Sequence, residues 1–206
     1  MSPRRPKGTT AGRGPAKARL RVVAGEAGGL RLGAPAGTAT RPTSDRVREA
    51  VFNALDSLGA VEDAVVLDLF AGSGALGIEA LSRGATTATF VDADRSAVRS
   101  IEDNLAHTGM ADRARVVRGD ALDFLAAAGP VDLILVDPPY QRDDWDALLT
   151  AALGLLSAGG VIVAESDREV DAPPGAHTTR VRRYGGTVVT FLRPLAGDDL
   201  PTGAPT

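Results

Sequence analysis

From residue 64 to residue 166, short runs of Val, Leu and Ile recur between segments with a helical repeat. AVVLDLF (64–70), ATFVD (88–92), ARVVRG (114–119), VDLILVD (131–137) and GVIVAES (160–166) read as strands. ALGIEALSRG (75–84), RSAVRSIEDNLAHTG (95–109), ALDFLAAAG (121–129) and WDALLTAALGLL (145–156) lie between them and read as helices, with Asp94 the expected cap of the second. The strand runs are nearly continuous in apolar residues, so both of their faces should be buried. Strands of that kind alternating with helices predict a parallel sheet covered on both sides. The rhythm then changes. TTRVRRY (178–184) and TVVTFLR (187–193) flank Gly185–Gly186, a two-residue hairpin signal. An α/β fold with a mostly parallel seven-stranded sheet and a C-terminal antiparallel hairpin is expected.

Ahead of this block the pattern is looser. RLRVVAGEAGGLRLGAP (19–35) has two apolar runs around a Gly-rich bend and reads as a β-hairpin. TRPTSDRVREAVFNALDSLG (40–59) reads as a helix. Ser44 or Asp45 can cap it, Val47, Val51, Ala54, Leu55 and Leu58 share one face, and Gly59 ends it. Residues 1–18 are rich in Gly, Pro and Lys/Arg and are expected to be a disordered basic tail. The expected organisation is therefore this tail, an N-terminal hairpin and helix extension (19–60), a main domain (61–195) and a flexible tail (196–206).

Charge sharpens that division. Residues 1–50 carry 11 Lys/Arg against 3 Asp/Glu, whereas residues 51–206 carry 12 against 23. A basic arm on an acidic body suits a polyanionic partner for the arm. There is no cysteine, which excludes disulfides and thiolate metal sites and favours a reducing compartment. His107 and His177 match no metal-ligand spacing. No run approaches the ~20 apolar residues of a membrane span. A cytoplasmic monomer with no membrane partner and no metal is expected.

The chemistry concentrates where strands end. VLDLFAGSGALGIEAL places Gly72, Ser73, Gly74 and Gly77 in a G-x-G-x-x-G turn between a strand and a helix. An acid, Asp92, ends the next strand twenty residues after Gly72. Glycines let a ligand approach the backbone, and a carboxylate at that place can accept both ribose hydroxyls. The constellation points to an adenosine-containing cofactor without separating NAD from S-adenosylmethionine. Asp68, inside the strand just before Phe70, disfavours a pyrophosphate but suits the ammonium of a methionine moiety. Asp120, in VVRGDALDF, can accept from an adenine amino group while the Ala121 N–H meets a ring nitrogen; it can equally cap the helix that follows.

ILVDPPYQRDD (134–144) ends a strand with an acid, two prolines and an aromatic. Neither proline donates to a sheet, so the ladder must stop there. Asp137 should share the rim with Gly72, Asp92 and Asp120, because ligands in open α/β sheets bind beyond the carboxyl ends of strands. The rigid Pro138–Pro139 corner can offer the Pro138 carbonyl and the Asp137 carboxylate to the two N–H groups of a planar exocyclic amine. Tyr140 can stack on the ring, worth about 1–3 kcal/mol. Drawing both N–H bonds toward acceptors localises the nitrogen lone pair, which is otherwise delocalised into the ring. Trp145 can be core or a second stacking surface.

This layout is that of the Rossmann-like class I methyltransferases. Asp68, Gly72, Gly74, Asp92, Asp120 and Asp137-Pro-Pro-Tyr140 resemble the motifs of amino-group N-methyltransferases. With RVVAGEAGGLRL and RPTSDRVREAVFNAL added, residues 20–193 resemble the RsmD family, methyltransferases of bacterial 16S ribosomal RNA. The resemblance implies methylation of the exocyclic N2 of one guanine, position 966 in the usual rRNA numbering, with S-adenosylmethionine as cofactor and the small ribosomal subunit as partner. It implies that Asp137, Pro138, Pro139 and Tyr140 meet the base. It implies that Asp68, Phe70, Gly72, Ser73, Gly74, Asp92, Asp120, Ala121 and Asp137 hold the cofactor. Arg41, Thr43 and Arg46 are expected near cofactor or RNA, and Arg19, Arg21 and Arg31 on phosphates. Thr43 and Ser44 as local caps, and Arg46 and Arg48 as partners of Asp45 or Glu49, are the competing roles. A DNA adenine or cytosine N-methyltransferase, an NAD-dependent oxidoreductase and a non-catalytic RNA-binding factor of the same fold remain rival readings.

Overall fold

The computed structural model describes residues 20–35, 44–139 and 142–195. Seven strands form one sheet: β1 (Val65–Leu69), β2 (Thr87–Asp92), β3 (Ala114–Arg118), β4 (Val131–Val136), β5 (Leu156–Ser166), β6 (Ala176–Tyr184) and β7 (Thr187–Pro194). Their order is β3-β2-β1-β4-β5-β7-β6. The first five are parallel, and β7 runs antiparallel to both β5 and β6. The chain moves outward one way from β1 to β3 and the other way from β4 onward. The cleft between β1 and β4 is thus the switch point where such sheets take ligands.

Helices α1 (Asp45–Ser57), α2 (Ala75–Ser82), α3 (Arg95–Thr108), α4 (Ala121–Leu125) and α5 (Trp145–Leu153) cover the sheet. Ser44 caps α1 through the Val47 N–H, and Asp94 caps α3 through the Ser96 N–H. One core lies under α1, α2 and α3 and includes Leu20, Val22, Val47, Ile78, Ile101 and Phe191. The other lies under α4 and α5 and includes Leu125, Trp145, Leu148 and Leu149. Trp145 is buried there, which makes it a core residue and removes it as a stacking surface. Among the described residues no helix is long and apolar enough to cross a membrane.

Sequence expectations differ at element ends. The helix expected over 145–156 ends at Leu153, and Leu156 already opens β5. The helix expected to reach residue 129 ends at Leu125, with Ala126 as its C-cap and the Ala127 N–H turning to the Phe124 carbonyl at 3.1 Å. The N-terminal hairpin is short: its one bridge, Arg21 with Arg31, is flanked by the Leu32 N–H donating to the Leu20 carbonyl and the Val22 N–H to the Leu30 carbonyl, both at 2.9 Å. The donors of its bend turn to α2. The Val23 and Ala24 N–H groups donate to the Glu79 carboxylate at 2.7 and 3.0 Å, and the Ala27 N–H donates to the Ser82 hydroxyl at 3.0 Å. The segment 20–35 is therefore a short hairpin strapped over α2.

Candidate active site

At the carboxyl end of β1 the backbone leaves the sheet abruptly. Phe70 takes φ +58°, a left-handed conformation rare for a non-glycine residue and typical of functional strain. Gly72 at φ +56° and Gly74 at φ +76° continue the turn into α2. Nothing lies closer than 3.9 Å to where a Gly72 side chain would begin, so the loop is open toward the rim. Gly77 serves packing: a Cβ there would sit 2.3 Å from the Phe90 ring. This is how α2 comes so close to β2.

Four acids gather around that loop. Asp68 is buried, with its Oδ2 accepting the Gly77 N–H at 2.9 Å and its Oδ1 without a hydrogen bond among the described residues. Burial pushes its carboxyl well above the ordinary 3.8; the Gly77 N–H opposes this, and the negative charges of Asp137 and Asp92 add to it. Asp92 accepts the Gly72 N–H on Oδ2 and the Asp94 N–H on Oδ1, both at 2.8 Å. It therefore shapes the glycine loop while keeping unused lone pairs on both oxygens. The Gly119 N–H donates to the Asp92 carbonyl at 3.1 Å, which sets Asp120 beside it. Asp120 caps α4 through the Leu122 N–H at 2.8 Å, and Ala121 is buried as the first helical residue.

Asp137 follows Val136, which pairs with Leu69 of β1. The acid-led corner thus stands next to Phe70, across the switch point from the glycine loop. A clamp holds the chain after it. The Arg142 guanidinium lies 4.9 Å from the centre of the Phe70 ring, pairs with Asp144 at 2.5 and 2.6 Å, and its carbonyl accepts from Arg168 at 3.0 Å. Two concavities, of about 430 and 230 Å³, lie at the other rim, lined by residues such as Gly25, Glu62, Arg83, Asp63 and Asp132. Neither touches the glycine loop, and their size does not outweigh where the acids and strained backbone converge.

A family model described as conserved hypothetical protein 95, the RsmD family, matches residues 20–193. The chain belongs to that family. YlbH of Bacillus subtilis is 42% identical over 183 residues, covering 84% of this chain and 98% of the relative. Ribosomal RNA small subunit methyltransferase D of Escherichia coli K12 is 43% identical over 148 residues, 71% of each chain. The structure of yhhF from Escherichia coli superimposes with a TM-score of 0.76 at 37% identity, covering 86% of this chain and 99% of that one. The fold is that of class I methyltransferases, and this RsmD-family chain is a methyltransferase.

The RsmD-family chain brings Asp68, Phe70, Gly72, Ser73, Gly74, Asp92, Asp120, Ala121, Asp137, Pro138 and Pro139 to one rim, while Tyr140, Arg19, Arg41 and Thr43 fall outside the described residues. Phe70 meets Arg142 rather than standing alone. Arg21 is paired with Asp45 at 3.0 Å, whereas Arg31 and Arg46 are exposed. Arg48 is buried and takes Asp45 at 2.9 Å, as the local reading allowed, but also lies 3.6 Å from Glu79. Sequence reasoning missed Glu79, Asn104 and Arg142. Only Glu79 carried a signal, as an acid inside an otherwise apolar helix, ALGIEAL.

Proposed function

We propose that this RsmD-family methyltransferase uses S-adenosylmethionine to methylate the exocyclic N2 of a guanine in 16S rRNA of the small ribosomal subunit. The observation that carries the reading is the adjacency of the Asp137-Pro138 corner to a glycine loop backed by a buried, half-satisfied carboxylate. The relative named ribosomal RNA small subunit methyltransferase D supports the substrate class.

The residues fit the cofactor. An orphaned acceptor, Asp68 Oδ1, is buried at the rim where an ammonium would satisfy it. Burying a carboxylate without a partner is costly, so a cationic ligand is the natural complement. Asp92 would take the ribose hydroxyls, and Asp120 with the Ala121 N–H the adenine edge. When bound, the cofactor supplies an electrophilic methyl group on a sulfonium. The chain's own task is to present the nitrogen. Asp137 and the Pro138 carbonyl accept the two N–H bonds of the guanine amine, and Tyr140 stacks on the base. Holding the nitrogen beside the glycine loop converts a bimolecular encounter into a positioned one, from which much of the rate gain arises.

The test is transfer of labelled methyl from S-adenosylmethionine to small subunits that lack the modification, followed by identification of the labelled nucleoside. N2-methylguanine is expected. Acceptance of duplex DNA in place of the subunit, with label in adenine or cytosine, would replace this reading with a DNA N-methyltransferase.

A further inference from the structure

Residues 176–184, AHTTRVRRY, carry Arg180, Arg182 and Arg183 and no acid, in a part of the chain that is otherwise acidic. They form β6, the last strand of the sheet, whose outer flank pairs with no strand among the described residues. Arg183 is engaged by Glu169 at 2.7 Å. Among the described residues no carboxylate pairs with Arg180 or Arg182; the Arg182 guanidinium donates only to the Val181 carbonyl of its own strand.

Register decides where these two arginines point. Arg180 stands opposite Phe191 and Arg182 opposite Val189. Residues directly opposite in an antiparallel pair project to the same side. Phe191 and Val189 belong to the core that holds Leu20, Val22, Leu32 and Val47. Arg180 and Arg182 therefore rise on the side that carries the N-terminal strap and α1, where Arg31 and Arg46 are exposed.

Register also sets their height. Val136 of β4 pairs with Ala164 of β5. One residue further along, Glu165 pairs with Val189, which pairs with Arg182. Arg182 thus stands in the row that continues across the sheet from Asp137. Three strand spacings separate the two, about 14 Å. Charged edge residues discourage strand-to-strand association, which accounts for a charge on β6. It does not account for two unpaired guanidinium groups on the strap side, one of them level with the catalytic corner. Guanidinium matches phosphate oxygens in a two-point geometry.

We propose that β6 is a second nucleic-acid contact, with Arg180 and Arg182 gripping backbone phosphates beside the target base. This rests on the nucleic-acid substrate of the preceding reading. Such contacts fix the orientation of the substrate and read no sequence.

The experiment compares wild type, Arg180→Gln/Arg182→Gln and Arg115→Gln, a neutralisation on β3 at the opposite edge. Binding of a fluorescein-labelled RNA hairpin with a guanine in its loop is measured by anisotropy across a salt series. The double variant should flatten the slope of log K against log salt by about 1.4, at ~0.7 for each single-strand phosphate lost. Arg115→Gln should keep the wild-type slope, and all three should bind S-adenosylhomocysteine alike in calorimetry. An unchanged slope in the double variant overturns the proposal. So does a change in oligomeric state with an unchanged slope, which would make β6 a self-pairing edge. Wild type that binds S-adenosylhomocysteine but neither the hairpin nor small subunits lacking the modification would overturn the substrate reading itself, and this proposal with it.

Discussion

Asn104 on α3 donates from Nδ2 to the carbonyl of Ser73 in the glycine loop at 2.8 Å. The same amide donates to the Gly33 carbonyl at 2.9 Å and accepts the Gly33 N–H at 2.7 Å. One buried side chain thus ties the N-terminal strap to the loop that would carry the methyl donor. Asn104→Ala would strand these groups, at about 1–3 kcal/mol for each that stays buried. The expected outcome is a several-fold higher KM for S-adenosylmethionine with little change in kcat, measured by steady-state kinetics at saturating RNA. A change in kcat alone would assign Asn104 elsewhere.

Asp68 makes the ligand-free protein sensitive to pH in an unusual direction. Its folded carboxyl holds a proton above the ordinary 3.8, chiefly through burial, and the unfolded one does not. Between 3.8 and the raised native value the folded state binds more protons, so stability falls as pH rises through that interval. Asp68→Asn should remove this slope and be more stable than wild type at neutral pH. It should also bind S-adenosylhomocysteine at least about tenfold more weakly, the worth of a hydrogen bond to a charged group. Thermal melts across pH and calorimetry check the two halves separately.

Asp137→Ala should lower kcat by about 10²–10³-fold, the usual cost of deleting one preorganised hydrogen-bonding group. Cofactor affinity should stay near wild type, since the glycine loop and Asp92 remain. Single-turnover methyl transfer together with S-adenosylhomocysteine calorimetry separates the two. Near-normal turnover would remove Asp137 from the chemistry.

Glu79 is fully buried and satisfies the Val23 and Ala24 N–H groups, Arg83 at 2.8 Å and, at 3.6 Å, Arg48. Removing one partner of a buried ion pair costs about 3–5 kcal/mol because the other charge is left uncompensated. Glu79→Ala should therefore lower Tm clearly and speed hydrogen exchange at Val23 and Ala24. Arg83→Met tests the same network from its partly exposed side and should cost less. Equal exchange rates in Glu79→Ala and wild type would show that other contacts hold the strap.

The parts of the site that were legible in the chain are those in which neighbours in sequence are neighbours in space. The run Asp68 to Gly77 and the corner Asp137 to Pro139 are each a single turn at the end of a strand, so residue type and order suffice. The Asn104–Ser73, Glu79–Val23 and Arg142–Phe70 contacts join residues that lie far apart along the chain on different elements. No local pattern encodes such pairs. The hairpin at 20–32 is legible from its apolar spacing, but its anchorage is not: the acceptors for the Val23, Ala24 and Ala27 N–H groups sit on α2.

Sequence alone determined which segments become strands and helices, because continuous β-branched runs and a helical repeat are local properties of the chain. It also determined that the acids fall in or near strand ends, since Asp68 lies within an apolar run, Asp92 and Asp137 directly follow one, and Asp120 comes two residues after its strand. Tertiary structure decided what those ends do to one another. Asp68 is left with an unpartnered oxygen only because α2 closes over it. Arg180 and Arg182 reach the strap side because Tyr184 pairs with Thr187 across the turn, which sets them opposite Phe191 and Val189, and packing turns those two toward the core under α1 and α2. A slip of one residue turns every side chain of a strand to the opposite face, and nothing within the strand itself selects between the two.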